Sequence, residues 1–239
     1  MKKTITLLAF LFVAITNAQN WDKEKITGNG NLTTISRTTE SYDEITVTGS
    51  FNVELVSGKE GNITINGDEN IINHIITEVE GSTLKIHFEK NKSYSYNSKL
   101  IITVPFEEIS AVSLTGSGSI QTKDTINAKT FEINLAGSGD GNYNVNSTNL
   151  NVSLSGSGDL KVTGITQNLD AKVAGSGDID CSKLETQNAD VNVAGSGDLK
   201  VNCIKNLTAN VAGSGDIHYK NKPETVDKKI VGSGDITSY

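Results

Sequence analysis

Six aspartates in this chain follow the same three residues. Gly-Ser-Gly-Asp ends at Asp140, Asp159, Asp178, Asp198, Asp216 and Asp235, and a seventh Gly-Ser-Gly, at 116–118, carries Ser119 in that place. Carboxylates on a fixed beat could do three kinds of chemistry. They could hold calcium between stacked turns through oxygen ligands. They could act in pairs on a glycosidic bond, or they could cap turns by accepting backbone N–H groups. The calcium-binding β-roll repeat reads Gly-Gly-x-Gly-x-Asp-x-apolar. Here Asp follows the second glycine directly, one residue early and once per repeat. If the six carboxylates stack at the ~4.8 Å strand spacing, neighbours repel by roughly 3 kcal/mol at an effective dielectric near 20 before screening. A cation or backbone N–H groups would relieve that repulsion. The capping role is the expectation, with no metal and no cofactor; the six aspartates are the calcium candidates if that fails.

Catalysis finds little support. The stacked carboxylates have roughly the separation of a retaining glycosidase pair, but every repeat presents them, so none is singled out. Arg37 is the only arginine, and His74, His87 and His218 are scattered without metal-ligand spacing. No Gly-x-Ser-x-Gly elbow with a triad context occurs, and no catalytic residue is assigned. Cys181 and Cys203 could form a disulfide in an oxidising compartment. Stacked coils put them about 8 Å apart, beyond disulfide reach. They are expected to be small inward hydrophobes.

The elements that position the aspartates show in the columns around each corner. The spacings between successive Gly-Ser-Gly copies are 21, 19, 19, 20, 18 and 19 residues. Two residues before the first glycine stand Leu114, Leu135, Leu154, Val173, Val193, Val211 and Ile230. Four after it stand Ile120, Gly141, Leu160, Ile179, Leu199, Ile217 and Ile236. Polar residues alternate with them, the period-2 signature of strands with one face in and one out. A further apolar residue between copies (Ile126, Ile165, Leu184, Ile204) marks a short third side. A unit of this size cannot bury its own apolar face, but a stack of such units can. The implied fold is all-β, a single-stranded β-solenoid of about seven ~19-residue coils, roughly 34 Å long. Right-handed winding is expected, as for most parallel crossovers. A propeller blade needs about twice this period. The glycines supply positive φ at the corners, and Ala136, Ala174, Ala194 and Ala212 let the corners nest. Corner serines are expected to hydrogen-bond along the stack. Lys228 breaks the inward column of the last coil and reads as a cap on an edge that would otherwise template pairing.

Three segments precede or frame this array: 1–18, a secretory signal peptide; 19–105, an irregular β region or cap; and 106–239, the repeats. Met1-Lys2-Lys3 is a positive n-region, Leu7 to Ile15 an apolar run too short to span a bilayer, and Thr16-Asn17-Ala18 a small-residue cleavage site. Removing residues 1–18 takes the net charge from −7 to −9. No cysteine lies near the cleavage point for lipid attachment. Strands are expected at 45–47, 51–55, 63–65, 84–88 and 101–104, with a degenerate corner at Gly49-Ser50. Asp68 to Glu80 reads as a helix with Asp68 as N-cap and Ile71, Ile72, Ile75, Ile76 and Val79 on one face. Lys90 to Lys99 reads as an exposed loop. An acidic chain with one arginine is a poor partner for nucleic acid. Its 21% charged content is too low for a wholly disordered protein, and 5% aromatic content leaves a thin core.

The signal segment, Gly49-Ser50-Phe51-Asn52-Val53, the Leu100-to-Pro105 strand and the Gly-Ser-Gly-Asp units together resemble a family of bacterial envelope proteins, the auto-transporter adhesins with a head GIN domain. The resemblance covers nearly all of the mature chain. It implies a β-helical fold and a periplasmic, cell-surface or extracellular setting, and brings no catalytic residues. Too few residues follow Asp235 for a membrane barrel, so self-anchoring is not expected. The reading is a non-enzymatic adhesin or glycan- or protein-interaction module, monomeric or weakly associated end to end. Its alternatives are a self-assembling, curli-like matrix component and a polysaccharide-degrading β-helix enzyme. Curli-type repeats are richer in Gln/Asn ladders and lack a capping domain.

Overall fold

The computed structural model describes residues 24–239, so the expected signal at 1–18 lies outside the described residues. The chain before the repeats forms β1 (Glu24–Thr27), β2 (Leu32–Thr38), β3 (Glu44–Gly49), β4 (Asn52–Ser57), β5 (Asn62–Asp68), a single helical turn α1 (Glu69–Ile72), β6 (Ile75–Glu80), β7 (Thr83–Phe88), β8 (Lys92–Ser95) and β9 (Ile101–Phe106). The repeats form β10 (Ala111–Gly116), β11 (Ser119–Thr122), β12 (Ile126–Gly137), β13 (Asp140–Gly156), β14 (Asp159–Gly175), β15 (Asp178–Gly195), β16 (Leu199–Gly213), β17 (Ile217–Lys220), β18 (Thr225–Gly232) and β19 (Ile236–Ser238). Seventeen strands belong to one continuous sheet wound into a β-solenoid of about seven turns.

The corners lie in register. Gly49 pairs with Gly116, and Gly116, Gly137, Gly156, Gly175, Gly195, Gly213 and Gly232 follow in line. Gly49-Ser50 is therefore a true corner. The first glycine of every corner has φ between 124° and 143°, a region that side chains rarely enter. The second glycine is required for a different reason. Gly177 does not have positive φ, but a methyl there would overlap the carbonyl oxygen of Gly158 in the coil below. The corner bonds come from the backbone: the Gly175 carbonyl accepts from Ser196 N–H (2.8 Å) and Gly197 N–H (3.2 Å), and the Gly213 carbonyl from Ser233 and Gly234 (2.8 and 3.2 Å). The expected role of serine along the stack thus falls to its N–H; among the described residues the hydroxyls of the Gly-Ser-Gly corners make no hydrogen bond, and that of Ser50 meets the Tyr96 hydroxyl (2.9 Å).

The inward columns fill the interior. Leu135, Leu154, Val173, Val193 and Val211 are all at most 2% exposed. Gly141 interrupts the neighbouring column because Leu160 of the next coil and the Tyr143 ring, both 1% exposed, occupy its space. The third-side column differs from expectation. It runs Ile126, Val145, Gly164, Leu184, while Ile165 is 58% exposed and lines up with Asn146 and Glu185. Gly164 takes the inward place with φ of 119°, and a side chain there would strike the Val145 carbonyl. Ile204 is half-buried and outside the paired register. The 20- and 18-residue spacings are absorbed on this side, where residues 182–184 of β15 have no partner in β16.

The first end is closed by antiparallel pairs laid on the coil. β6 pairs antiparallel with β7, which runs parallel to β3; β2 pairs antiparallel with β5 and β5 with β9, which runs parallel to β4. The helix expected over Asp68–Glu80 is only the turn Glu69–Ile72. Ile75, Ile76, Thr77 and Val79 are β-branched, and Gly81 with Ser82 turns them back as a hairpin onto β7. Asp68 makes no side-chain cap; its carboxylate accepts from Ser98 Oγ (2.6 Å). The loop expected over Lys90–Lys99 instead contains β8, parallel to β1. Its Tyr94 stacks on Phe88 at 4.0 Å. At the other end β18 pairs on one side only, and Lys228 Nζ reaches the Ile236 carbonyl (2.9 Å) over the Tyr219 ring, as a cap would.

Close approach at the second corner glycine predicts that Gly177→Ala lowers stability by about 3 kcal/mol, whereas Ser176→Ala on the same corner changes it little. Urea denaturation of both variants measures this.

Candidate interaction surface

Each corner hands the chain into a strand that begins with the repeated aspartate. Asp140, Asp159 and Asp178 lie in register, and the ladder continues upward through side-chain bonds. Asp159 Oδ1 accepts Asp178 N–H (3.3 Å), Asp178 accepts Asp198 (2.8 Å), Asp198 accepts Asp216 (2.9 Å) and Asp216 accepts Asp235 (2.7 Å). Asp235 accepts the N–H of Ile236 in its own coil (2.8 Å). Below the aspartates the column passes to Ser119, whose hydroxyl donates to Asn52 Oδ1 (2.8 Å). Asp159, Asp178, Asp198 and Asp216 therefore act as caps between coils, and the N–H dipoles offset their mutual repulsion. Among the described residues no three His, Cys, Asp or Glu side chains converge as a metal site.

Outward from this column runs a shallow trough of about 390 Å³, walled by Asp140, Asp159, Asp178 and Asp198 on one side and by Lys161, Asp180 and Lys200 on the other. Burial opposes ionisation of Asp180. The Ser182 hydroxyl and N–H, with Lys200 and Lys161 nearby, outweigh it and hold the carboxyl below the usual carboxylate range. His218, two residues after Asp216, bonds to Thr237 Oγ1 (2.9 Å). His74 and His87 lie far along the axis in the cap, where His74 Nδ1 meets Glu89 (3.0 Å) and His87 Nε2 meets Glu78 (3.4 Å). Arg37 donates to the Ile72 carbonyl (3.2 Å), a structural bond.

The opposite corner carries a second ladder that the sequence reading missed. Asn168 Nδ2 donates to Asn149 Oδ1 (2.9 Å), Asn188 to Asn168 (2.9 Å) and Asn206 to Asn188 (2.7 Å); Thr225 Oγ1 donates to Asn206 (2.7 Å). The signal was present: each asparagine stands seven residues before its corner glycine. Just inside it, buried hydroxyls tie the turn. Thr166 and Thr186 donate to the carbonyls of Asn168 (3.3 Å) and Asn188 (3.0 Å). Cys203 holds the register place of Thr186, with Sγ 3.2 Å from the Asn206 carbonyl. Cys181 pairs in register with Val201, and both cysteines are free and buried. Cys181 thus fills an apolar column, while Cys203 substitutes for a corner hydroxyl.

Residues 41–223 match the model of the family described as "Putative auto-transporter adhesin, head GIN domain". The chain belongs to that family. A solved "putative adhesin" from Bacteroides fragilis NCTC 9343 is similar in fold, with a TM-score of 0.84, 24% identity, and coverage of 90% of this chain and 100% of that one. A "putative lipid binding protein" from Parabacteroides distasonis ATCC 8503 is 33% identical with a TM-score of 0.75, again over 90% and 100% of the two chains. A "putative adhesin" from Parabacteroides merdae ATCC 43184 has a TM-score of 0.71 at 20% identity, over 90% and 99%. No functionally curated protein matches the chain.

Two measurements probe the ladders and the buried thiols. Asp178→Ala strands the Asp198 N–H and costs about 1–2 kcal/mol, whereas Asp178→Asn keeps an acceptor, removes one charge from the column and stays near wild type in urea unfolding. Burial, with Asp180 nearby, pushes the Cys181 thiol up to about 12, and burial raises the Tyr143 phenol as well. The unfolded chain releases these protons near pH ~8.5 and ~10, so the folded state binds more protons above those values and stability falls with rising pH. The urea midpoint should hold below pH ~8.5 and drop toward pH 12, less so in Cys181→Ala. Thiol titration should find none in the native protein and two after unfolding without reductant; none after unfolding would mean a disulfide.

Proposed function

We propose that the protein is an exported, non-enzymatic interaction module of the cell envelope, in which a rigid β-solenoid presents fixed polar rows to a surface glycan or protein. The observation that carries this reading is the Asn149–Asn168–Asn188–Asn206 ladder, in which each exposed amide is already held by its neighbour. Side chains fixed before contact lose less conformational freedom on binding, so weak polar contacts along a row can sum to useful affinity. The n-region and apolar run within residues 1–18 support export, and the family supports an envelope setting. Five of the six aspartates accept a backbone N–H, which supports a structural rather than catalytic or calcium-binding role. Excess chelator or added calcium is then expected to leave the melting midpoint unchanged.

The relative described as lipid binding raises a second ligand class, but the solenoid interior favours it poorly. Its columns are filled by side chains, and the depressions among the described residues open onto the outer surface. The self-assembling reading has one observation behind it, the one-sided pairing of β18, and Lys228 lies across that end. Glycan-array and whole-cell binding by the mature protein, with protease shaving of intact cells, tests the proposal. Saturable binding without turnover is expected. Polysaccharide cleavage abolished by changing one carboxylate would overturn it.

A further inference from the structure

The column of corners begins at Gly49, and the structure changes character there. Phe51 stands in the register of the second glycine and is fully buried. Beside it the β6–β7 hairpin and β8 border an open recess of about 500 Å³ that extends to Thr48 and Gly49. Its chemistry differs from that of the repeats. Phe88 and Tyr94, both partly exposed, line it as a parallel pair with ring centroids 4.0 Å apart and planes 14° apart. Phe51 supports Phe88 from the core at 4.6 Å and His74 lies 5.6 Å from Tyr94, so the stack is preformed and offers its partly exposed rim to the recess. Glu78 and Glu80 reach the recess from β6, and Lys85, Lys90 and Lys92 from β7 and the segment that follows it. Lys92 is held by Glu89 (2.9 Å), and Lys85 pairs with Glu80. Lys90 is exposed and, among the described residues, makes no ion pair.

We propose that this recess binds an acidic sugar residue, a uronate, of a polysaccharide chain. The inference rests on the glycan branch of the interaction reading above and gives it a place outside the repeats. Three complementary features support a uronate. The apolar face of a pyranose packs on the rim of the Phe88–Tyr94 stack. Ring hydroxyls donate to carboxylates such as Glu78 and Glu80. A carboxylate on the sugar meets Lys90 and Lys85. Charge placement also favours an anion here. The chain carries −7 overall, and at the recess Lys85 and Lys92 are offset by Glu80 and Glu89, so the attraction for an anionic ligand comes from the exposed Lys90. A neutral sugar would use the aromatic rim and leave the lysines idle.

Titration of the full mature chain with trigalacturonate, followed by calorimetry and by amide shifts, tests the assignment. Saturable binding is expected, weakened by added salt, with shifts confined to residues 78–94. Lys90→Gln should weaken it at least about tenfold without altering the melting midpoint, because the side chain is exposed and unpaired. Tyr94→Phe should bind as wild type, since the ring supplies the contact, and Tyr94→Ala should lose binding. Equal affinity for maltotriose, equal displacement by inorganic sulfate, or indifference to Lys90→Gln would each overturn the proposal. Shifts along the Asn149–Asn206 face instead would overturn this site while leaving the glycan reading standing. No uronate binding, with other ligands captured on the glycan array, would reject the acidic-sugar assignment alone.

Discussion

The contact on which the molecule depends is backbone against backbone at the corner. The carbonyl of each first glycine accepts N–H groups from the corner above it, with Gly175 serving Ser196 and Gly197. Both glycines must lack a side chain for the coils to come this close, the first because of its φ as well, the second because of approach alone. One extra carbon in any coil would force its neighbour away, and the parallel ladders on either side of the corner would lose their spacing. The rigidity of the rod follows from that intolerance.

Once the corners are fixed, every other row is set by register. Like residues come to stand on like residues, which benefits apolar side chains inside and amides outside, since an amide can donate upward and accept from below. Carboxylates gain nothing from stacking, and the Asp column is stabilised because Asp159, Asp178, Asp198 and Asp216 each take a backbone N–H from the next coil. The same geometry leaves the ends as the weak points. At one end antiparallel strands and the Phe51–Phe88–Tyr94 cluster close the core; at the other a single lysine lies across it.

Sequence shows most clearly what repeats. The corners, the two main inward columns, the degenerate corner at Gly49 and the capping lysine were legible because the same residue type recurs at the same offset. Local irregularities were hidden. Ile165 belongs by type to the core, yet Gly164 beside it takes the inward place, a choice set by the Val145 carbonyl of another coil. Residues 68–80 have a helical spacing of isoleucines, but a hairpin to β7 satisfies their backbone along a neighbouring strand, and β-branched residues favour that outcome. The asparagine ladder recurs at a fixed offset, but an amide at a solvent-facing strand position suits many environments, so residue type alone does not mark it. The recess in the cap has no periodic signal at all, since its residues come from β6, β7 and β8.

Stacking in register can be measured without reference to any ligand. Spin labels at Ala136 and Ala212, four coil steps apart through Ser155, Ala174 and Ala194, should give one narrow distance distribution near ~19 Å by pulsed electron resonance, four strand spacings of ~4.8 Å. A broad distribution, or a separation well beyond that length, would contradict the stacked corners from which the rest of the structure follows.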